Sequence, residues 1–149
     1  MSTRDDKSIS HRRLNQLAST FYVAAELTRR GYIIITPSHD KLINDLQVTS
    51  PSGCQFDIII KGQYSKNFWH IRKNIPRNDL FYILVYVPLI PKEADSPRYF
   101  IITSHELMKR RDEYKEYIEN KSLSYNDKLG GIKWSTSFEY ENKWEILPG

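Results

Sequence analysis

The fold prediction depends on one stretch, Asp45-Leu-Gln-Val-Thr-Ser-Pro-Ser-Gly-Cys-Gln-Phe-Asp-Ile-Ile-Ile-Lys61. The alternation of apolar and polar residues on either side of its centre is typical of two half-buried strands. Pro51-Ser-Gly53 between them is a turn signal. The stretch therefore predicts a β-hairpin, and such a hairpin places Asp45 beside residues 59–61 of the second strand.

The second strand of this hairpin carries a group of residues that suits chemistry on phosphates. Residues i and i+2 of a strand project from one face, so Asp57, Ile59 and Lys61 are predicted to share a face to which Asp45 can add its carboxylate. Metal-dependent cleavage of a phosphodiester uses hard oxygen ligands, usually two carboxylates, and gains from a nearby cation. The pattern therefore predicts a candidate site at the end of the hairpin.

The rest of the chain predicts an α/β fold with a mixed β-sheet flanked by helices. Leu80–Val87 is the most hydrophobic run and indicates a central strand, and Tyr99–Ile102 indicates another. Thr103-Ser-His-Glu106 has the spacing of a capping box and predicts a helix to about Glu119. Strands flanked by helices favour a sheet with helices packed on it.

The first predicted helix runs from an N-cap at Ser10 to about Arg30, and Gly31 supplies its C-terminal cap. Its apolar residues recur at the three- and four-residue spacing of a core-facing stripe. The predicted stripe consists of Leu14, Leu17, Ala18, Phe21 and Ala25. Residues 1–9 are polar and are predicted to form a disordered N-terminal tail before a single domain over residues 10–149.

Composition limits the classes of function. The chain has 149 residues, a net charge of +4 and one cysteine, so no intramolecular disulfide can form. No apolar run approaches the roughly 18 residues that a membrane span requires, and no membrane partner is expected. A mild excess of basic residues permits a nucleic-acid partner without requiring one. These features predict a cytoplasmic protein.

The order of a helix with an internal glutamate, a strand, an aspartate, a turn and a strand ending in lysine resembles the PD-(D/E)XK nuclease superfamily, which has the restriction-endonuclease-like fold. Within that superfamily the chain is similar to a group of small bacterial proteins. The phrases that carry this similarity are His11–Gly31, Asp79–Val87, Tyr99–Ser104 and Asn142–Leu147. The resemblance implies a magnesium-dependent deoxyribonuclease.

The resemblance also implies roles for individual residues. Asp45 matches the metal-binding aspartate, and Ile60 matches the residue whose backbone carbonyl often contacts the metal. Lys61 matches the lysine that positions water and stabilises charge on the phosphate. Glu26 matches the glutamate found on the first helix of many members. The implied cofactor is Mg²⁺ or Mn²⁺.

One position departs from the superfamily pattern. Ile59 stands where the motif has Glu or Gln, and an isoleucine side chain can neither ligate a metal nor orient water. Asp57 lies two residues away on the same predicted face and could replace the missing ligand through a shifted site or a bulge. The departure therefore predicts weakened or lost catalysis.

A second group of residues favours nucleic-acid binding. The segment Asn67-Phe-Trp-His-Ile-Arg-Lys73 mixes aromatic and basic side chains directly after the predicted site. Basic groups suit backbone phosphates, and aromatic rings can stack on unpaired bases. The candidate nucleic-acid-binding residues are Lys66, Trp69, Arg72 and Lys73, while core packing of Trp69 is the alternative.

Two hypotheses on function follow from the sequence. The first is a metal-dependent DNA endonuclease. The second is a non-catalytic binding module on a nuclease-like fold, either a DNA-binding subunit or an immunity-type protein that binds another protein. DNA is the expected partner, and a protein partner or a homodimer is left open.

Overall fold

The computed structural model describes residues 3–35, 45–88, 95–121 and 123–149. Within these ranges, two α-helices and seven strands follow one another. They are α1 (Thr3–Arg29), β1 (Ile33–Ile35), β2 (Asp45–Thr49), β3 (Gln55–Gln63), β4 (Trp69–His70), β5 (Leu80–Tyr86), β6 (Arg98–Thr103), α2 (Ser104–Asn120) and β7 (Gly131–Ile132). The predicted α/β class, a mixed sheet flanked by helices, is confirmed.

Among the described strands, five form the main sheet in the order β1-β2-β3-β5-β6, and β4 and β7 form a separate two-stranded sheet. The β3–β5 pair is parallel, and all other pairs in the main sheet are antiparallel. Asp45 is paired directly with Ile59, which confirms the predicted hairpin register. β5 lies inside the sheet and is buried along its whole length, as its continuous apolar run predicts.

The sheet separates two apolar clusters. On one face, Val23 and Leu27 of α1 pack with Ile58 and Ile60 of β3. On the other face, Leu107 of α2 packs with alternate residues of β5 and β6 and with the small β4–β7 sheet. Because side chains alternate along a strand, Asp57, Ile59 and Lys61 belong to the α2 face. The candidate site therefore lies on the side of the sheet opposite α1.

The prediction of the buried face of α1 is wrong for Leu14, Phe21 and Ala25, whereas Ala18 packs against the core as predicted. Leu14 and Phe21 are 59% and 64% exposed, and the buried face instead carries polar residues together with Val23 and Leu27. This close packing is possible because β3 has a glycine opposite the helix, where a Cβ on Gly62 would lie 2.0 Å from Ser19 Oγ. The Ser19 hydroxyl donates to the Asn15 carbonyl at 2.8 Å, so it needs no partner from the sheet.

The helix ends are capped as predicted in two cases. Gly31 has a φ of 92°, and the Tyr32 N–H donates to the Leu27 carbonyl, which is the Schellman arrangement. The Thr103 side chain accepts from the Glu106 N–H at 3.1 Å and caps α2. The N-cap prediction at Ser10 is wrong, because α1 begins at Thr3.

Two further predictions concern the rest of the chain. The sequence of Phe138–Leu147 leaves a final strand or coil open, and the structure has 3₁₀ turns there, over Ser135–Tyr140 and Trp144–Ile146. The polar composition of residues 37–44 predicts a loop, and this segment lies outside the described residues. Within the described ranges, no helix has the length and apolarity to cross a membrane.

Candidate nucleic-acid interface

The candidate site begins with a row of three side chains across the main sheet. Asp45 of β2 pairs with Ile59 of β3, and Ile59 pairs with Tyr82 of β5. Residues that are direct neighbours across strands project on the same side, so these three side chains line one shallow pocket. An apolar side chain occupies the middle of this row, where the superfamily motif has an acidic or amide group.

Three basic residues surround this row and define what we call the basic pocket: Lys61, Arg72 and Lys73. With Asp45, Ile59, Asn74 and Tyr82 they line a cavity of about 290 Å³. Lys61 comes from β3, whereas Arg72 and Lys73 come from the extended segment after β4. Among the described residues, no carboxylate oxygen lies within 4.0 Å of any of the three cationic groups. The pocket therefore has an excess of positive charge.

Lys61 is the least exposed cation of the basic pocket. Burial lowers the pKa of Lys61, the neighbouring Arg72 guanidinium lowers it further, and the Asp45 carboxylate acts in the opposite direction. An ammonium group that has lost part of its water and faces another cation is stabilised by an incoming anion. The electrostatics of the pocket thus favour a bound oxyanion.

The segment that carries Arg72 and Lys73 is held in place by buried groups. The Arg111 guanidinium is 1% exposed and donates from Nε to the Ile71 carbonyl at 2.7 Å. The Asn74 side chain donates to the Tyr82 hydroxyl at 3.2 Å, which ties the segment to β5. These contacts on either side of Arg72 and Lys73 fix the backbone from which the two basic side chains project.

Asp57 lies one row away from this pocket. It pairs with Gln47 and Leu80 across the sheet, and its carboxylate accepts from the Arg77 guanidinium at 2.7 Å. Arg77 also bonds Asp79 at 3.0 Å. Asp57 lines a different cavity from the one that contains Asp45, so the structure does not bring these two carboxylates together.

Glu26 is on the opposite side of the sheet from Asp45. Its carboxylate is bound by Arg29 at 2.6 Å and by Arg30 at 2.9 Å, and these contacts lower the pKa of Glu26. It lines a cavity with Tyr32 and Tyr99 on the α1 face. The structure corrects the prediction that Glu26 joins the site, because the whole sheet separates it from Asp45.

The remaining groups do not complete a metal site either. The Ile60 carbonyl, predicted to contact the metal, accepts from the Gln16 side-chain amide at 3.1 Å. Within the described part of the chain, no group of three His, Cys, Asp or Glu side chains could hold a metal ion. One carboxylate beside three cations is a poor donor set for Mg²⁺ or Mn²⁺, whose binding depends on the number of charged oxygen ligands. The residues present do not fit the metal that the resemblance implies.

Two of the predicted nucleic-acid-binding residues, Trp69 and Lys66, do not lie in the basic pocket. Trp69 is 2% exposed and stacks on Trp134 with ring centroids 5.8 Å apart, so it has no face to offer a base. This corrects the prediction for Trp69 in favour of the core-packing alternative. Lys66 lies away from the basic pocket, 5.7 Å from the Tyr86 ring and 4.0 Å from Asp95. Arg72 and Lys73 are the two that the structure brings to Lys61.

Sequence reasoning did not identify Asn74, Tyr82 or Arg77 as parts of this region. Tyr82 could have been found from the register of β5, because it is the direct neighbour of Ile59. The partner of Asp57 depends on a turn that brings Arg77 back to β3, and no local pattern predicts that contact.

Comparisons of this chain with protein-family models, with curated proteins and with solved structures found no match. Membership of the PD-(D/E)XK superfamily is therefore a prediction that depends on the motif residues alone.

Proposed function

We propose that this protein binds nucleic acid through the phosphate backbone, with the basic pocket as its main contact, and that it does so without metal-dependent cleavage. DNA is the polymer expected from the resemblance, and the cytoplasm is the expected compartment. The observation that carries the proposal is the accumulation of Lys61, Arg72 and Lys73 around a cavity with a single carboxylate.

The chemistry of these three groups suits phosphate oxygens. An arginine guanidinium can bind a phosphate through two parallel hydrogen bonds, and a lysine ammonium adds a compact charge. Partial burial of Lys61 strengthens its attraction to an anion, because less water screens the interaction. Two exposed cations beside it can follow the backbone to the next phosphate.

The donor set separates this proposal from the endonuclease hypothesis. Cleavage needs a second ligand beside Asp45, and the candidates for it are an isoleucine at the motif position, an aspartate bound by Arg77, and a glutamate across the sheet. Binding of phosphate needs none of these groups. The binding-module hypothesis is therefore the one that we propose.

The test is a titration of fluorescently labelled DNA, read by anisotropy, with wild type, Lys61→Ala and the control Lys143→Ala. Lys143 is an exposed lysine, and the neighbouring Trp144 packs in the cluster on the α1 side of the sheet. Lys143→Ala therefore removes one positive charge, as Lys61→Ala does, at a distance from the basic pocket. We expect about tenfold weaker binding by Lys61→Ala, which corresponds to about 1.4 kcal/mol, and less than twofold weaker binding by Lys143→Ala.

A parallel incubation of supercoiled plasmid with Mg²⁺ or Mn²⁺ tests cleavage. The proposal predicts intact plasmid with well-folded wild type across both metals. Metal-dependent cutting that Asp45→Ala and Lys61→Ala both abolish would overturn it in favour of the endonuclease. Equal weakening by Lys61→Ala and Lys143→Ala would show that binding depends on net charge and not on the basic pocket.

A further inference from the structure

The extended segment around β4 presents alternate side chains to solvent. Trp69 and Ile71 are both 2% exposed and face the core, whereas His70 and Arg72 are exposed and Phe68 is partly exposed. Side chains on one face of an extended segment repeat every two residues, about 6.6 Å apart. Phe68, His70 and Arg72 therefore form one outward line that ends in the basic pocket.

Helix α2 extends this line with two more rings. The Phe68 ring lies 5.0 Å from the His70 ring and 4.9 Å from the Tyr114 ring, measured between centroids. Tyr114 is followed by Tyr117, with ring centroids 6.4 Å apart and planes inclined by 29°, and Tyr117 is 40% exposed. We call these four residues the aromatic row. It joins β4 to the C-terminal half of α2 on the surface of the molecule.

The far end of the aromatic row is positively charged. Lys133 Nζ lies 4.1 Å from the centroid of the Tyr117 ring, and Lys121 Nζ lies 4.4 Å from it. Within the described ranges, neither ammonium has a carboxylate oxygen within 4.0 Å. These two residues, the lysine pair, lower the pKa of the Tyr117 hydroxyl. A second anion-attracting point therefore stands at the opposite end of the row from the basic pocket.

The arrangement of cations, rings and cations matches the chemistry of an unpaired nucleic-acid strand. Such a strand exposes the faces of its bases, which stack on aromatic side chains, while its phosphates need cations at intervals along the path. A duplex keeps its bases stacked on one another and offers mainly its backbone to a protein surface. Aromatic rings between two basic points therefore favour a single strand over a duplex.

We propose that the aromatic row and the lysine pair bind single-stranded nucleic acid, with a base against the exposed ring of His70 and with flanking phosphates on Arg72 and on the lysine pair, which Tyr117 holds in place through its ring. This inference depends on the proposed function, since the basic pocket is one end of the path. It adds the form of nucleic acid that the protein prefers.

The experiment compares a labelled oligothymidylate with a labelled DNA duplex, read by anisotropy for wild type, His70→Ala and the control Phe21→Ala. Phe21 is an aromatic residue 64% exposed on α1, across the sheet from the row, so it matches the loss of exposed ring area. Removal of a base-stacking ring typically weakens single-strand binding by about tenfold. We expect that loss for His70→Ala, unchanged duplex binding by the same variant, and no loss for Phe21→Ala.

A second variant, Lys121→Gln/Lys133→Gln, tests the charge of the lysine pair separately from the His70 ring, and both side chains are exposed. It should weaken single-strand binding and make that binding less dependent on salt. If His70→Ala and Lys121→Gln/Lys133→Gln both bind the single strand as wild type does, while Lys61→Ala still loses affinity, the inference fails and the proposed function stands. If wild type itself shows no salt-dependent binding to either DNA, the proposed function fails, and the inference fails with it.

Discussion

The two faces of β3 differ in what their side chains contact. Ile58 and Ile60 point toward α1 and are 0% exposed. Asp57, Ile59 and Lys61 alternate with them and are only partly buried, and the first and last of these carry charge. One strand thus holds the core on one side and a charged surface on the other. Substitutions on the first face should change stability, and substitution of Lys61 on the second should change binding.

The largest expected effect is on the buried face. Ile58→Ala removes methyl groups from the cluster between α1 and the sheet and leaves a cavity. Such a change typically lowers the free energy of unfolding by about 2–5 kcal/mol. Urea denaturation of the variant and wild type measures the loss. A decrease of less than about 1 kcal/mol would contradict the view that this face carries the core.

The buried face also shows which parts of the fold could be predicted from sequence. The run Leu80–Tyr86 has a length and composition that only a buried strand accommodates well, and the structure buries all of it. The turn at residues 51–53 sets the hairpin register, which pairs Asp45 with Ile59 as predicted. Local patterns are sufficient where one element or one tight turn determines the outcome.

The orientation of α1 could not be predicted in this way. Apolar periodicity selected the face with Leu14 and Phe21, which the structure exposes. The helix instead buries Asn15 and Ser19 against Gly62, because a missing Cβ allows close approach and the serine hydroxyl is satisfied within the helix. The buried face of α1 therefore depends on a residue of a strand that is distant in sequence. The hydrophobic pattern of the helix alone cannot predict that face.

The candidate site shows the same limit. Lys61 and Asp45 could be placed from strand alternation, and the structure puts both in one pocket. Glu26 could not be placed from the sequence, because its position depends on which face of the sheet α1 covers. Trp69 and its neighbours alternate between the core and solvent. The sequence alone did not determine which alternate set of side chains is buried.

A smaller effect concerns protonation on the charged face. Arg72 lowers the pKa of Lys61 and Asp45 raises it. We therefore expect Arg72→Ala to raise this pKa and Asp45→Asn to lower it further, as followed by NMR titration of the Lys61 side chain. An unchanged pKa in both variants would contradict the contacts described for the basic pocket.

The same lowered pKa has a consequence for stability. The unfolded chain holds the Lys61 proton to a higher pH than the folded protein does, so the folded state gains stability as pH rises between the two values. Lys61→Met should lack this gain. Thermal unfolding of both proteins from neutral to alkaline pH should show wild type becoming more stable relative to the variant, and the opposite trend would contradict the assignment.

The smallest effect is expected at the other end of the charged face. Asp57→Asn breaks an ion pair with Arg77, and both side chains are more than a third exposed. Exposed ion pairs contribute about 0–1 kcal/mol. Urea denaturation should show a loss within that range, and DNA affinity should stay within twofold of wild type. A loss of DNA binding as large as that of Lys61→Ala would mean that the two ends of the face act as one site.

The salt dependence of DNA affinity tests the central claim most directly. Each phosphate contact that is lost reduces the slope of log K against log salt by about 0.9 for duplex DNA. We predict that a Lys61→Gln/Arg72→Gln/Lys73→Gln variant shows a slope smaller by about two or more than that of wild type, while Lys143→Gln keeps the wild-type slope. Equal slopes for wild type and the triple variant would contradict the assignment of the basic pocket as a phosphate-binding site.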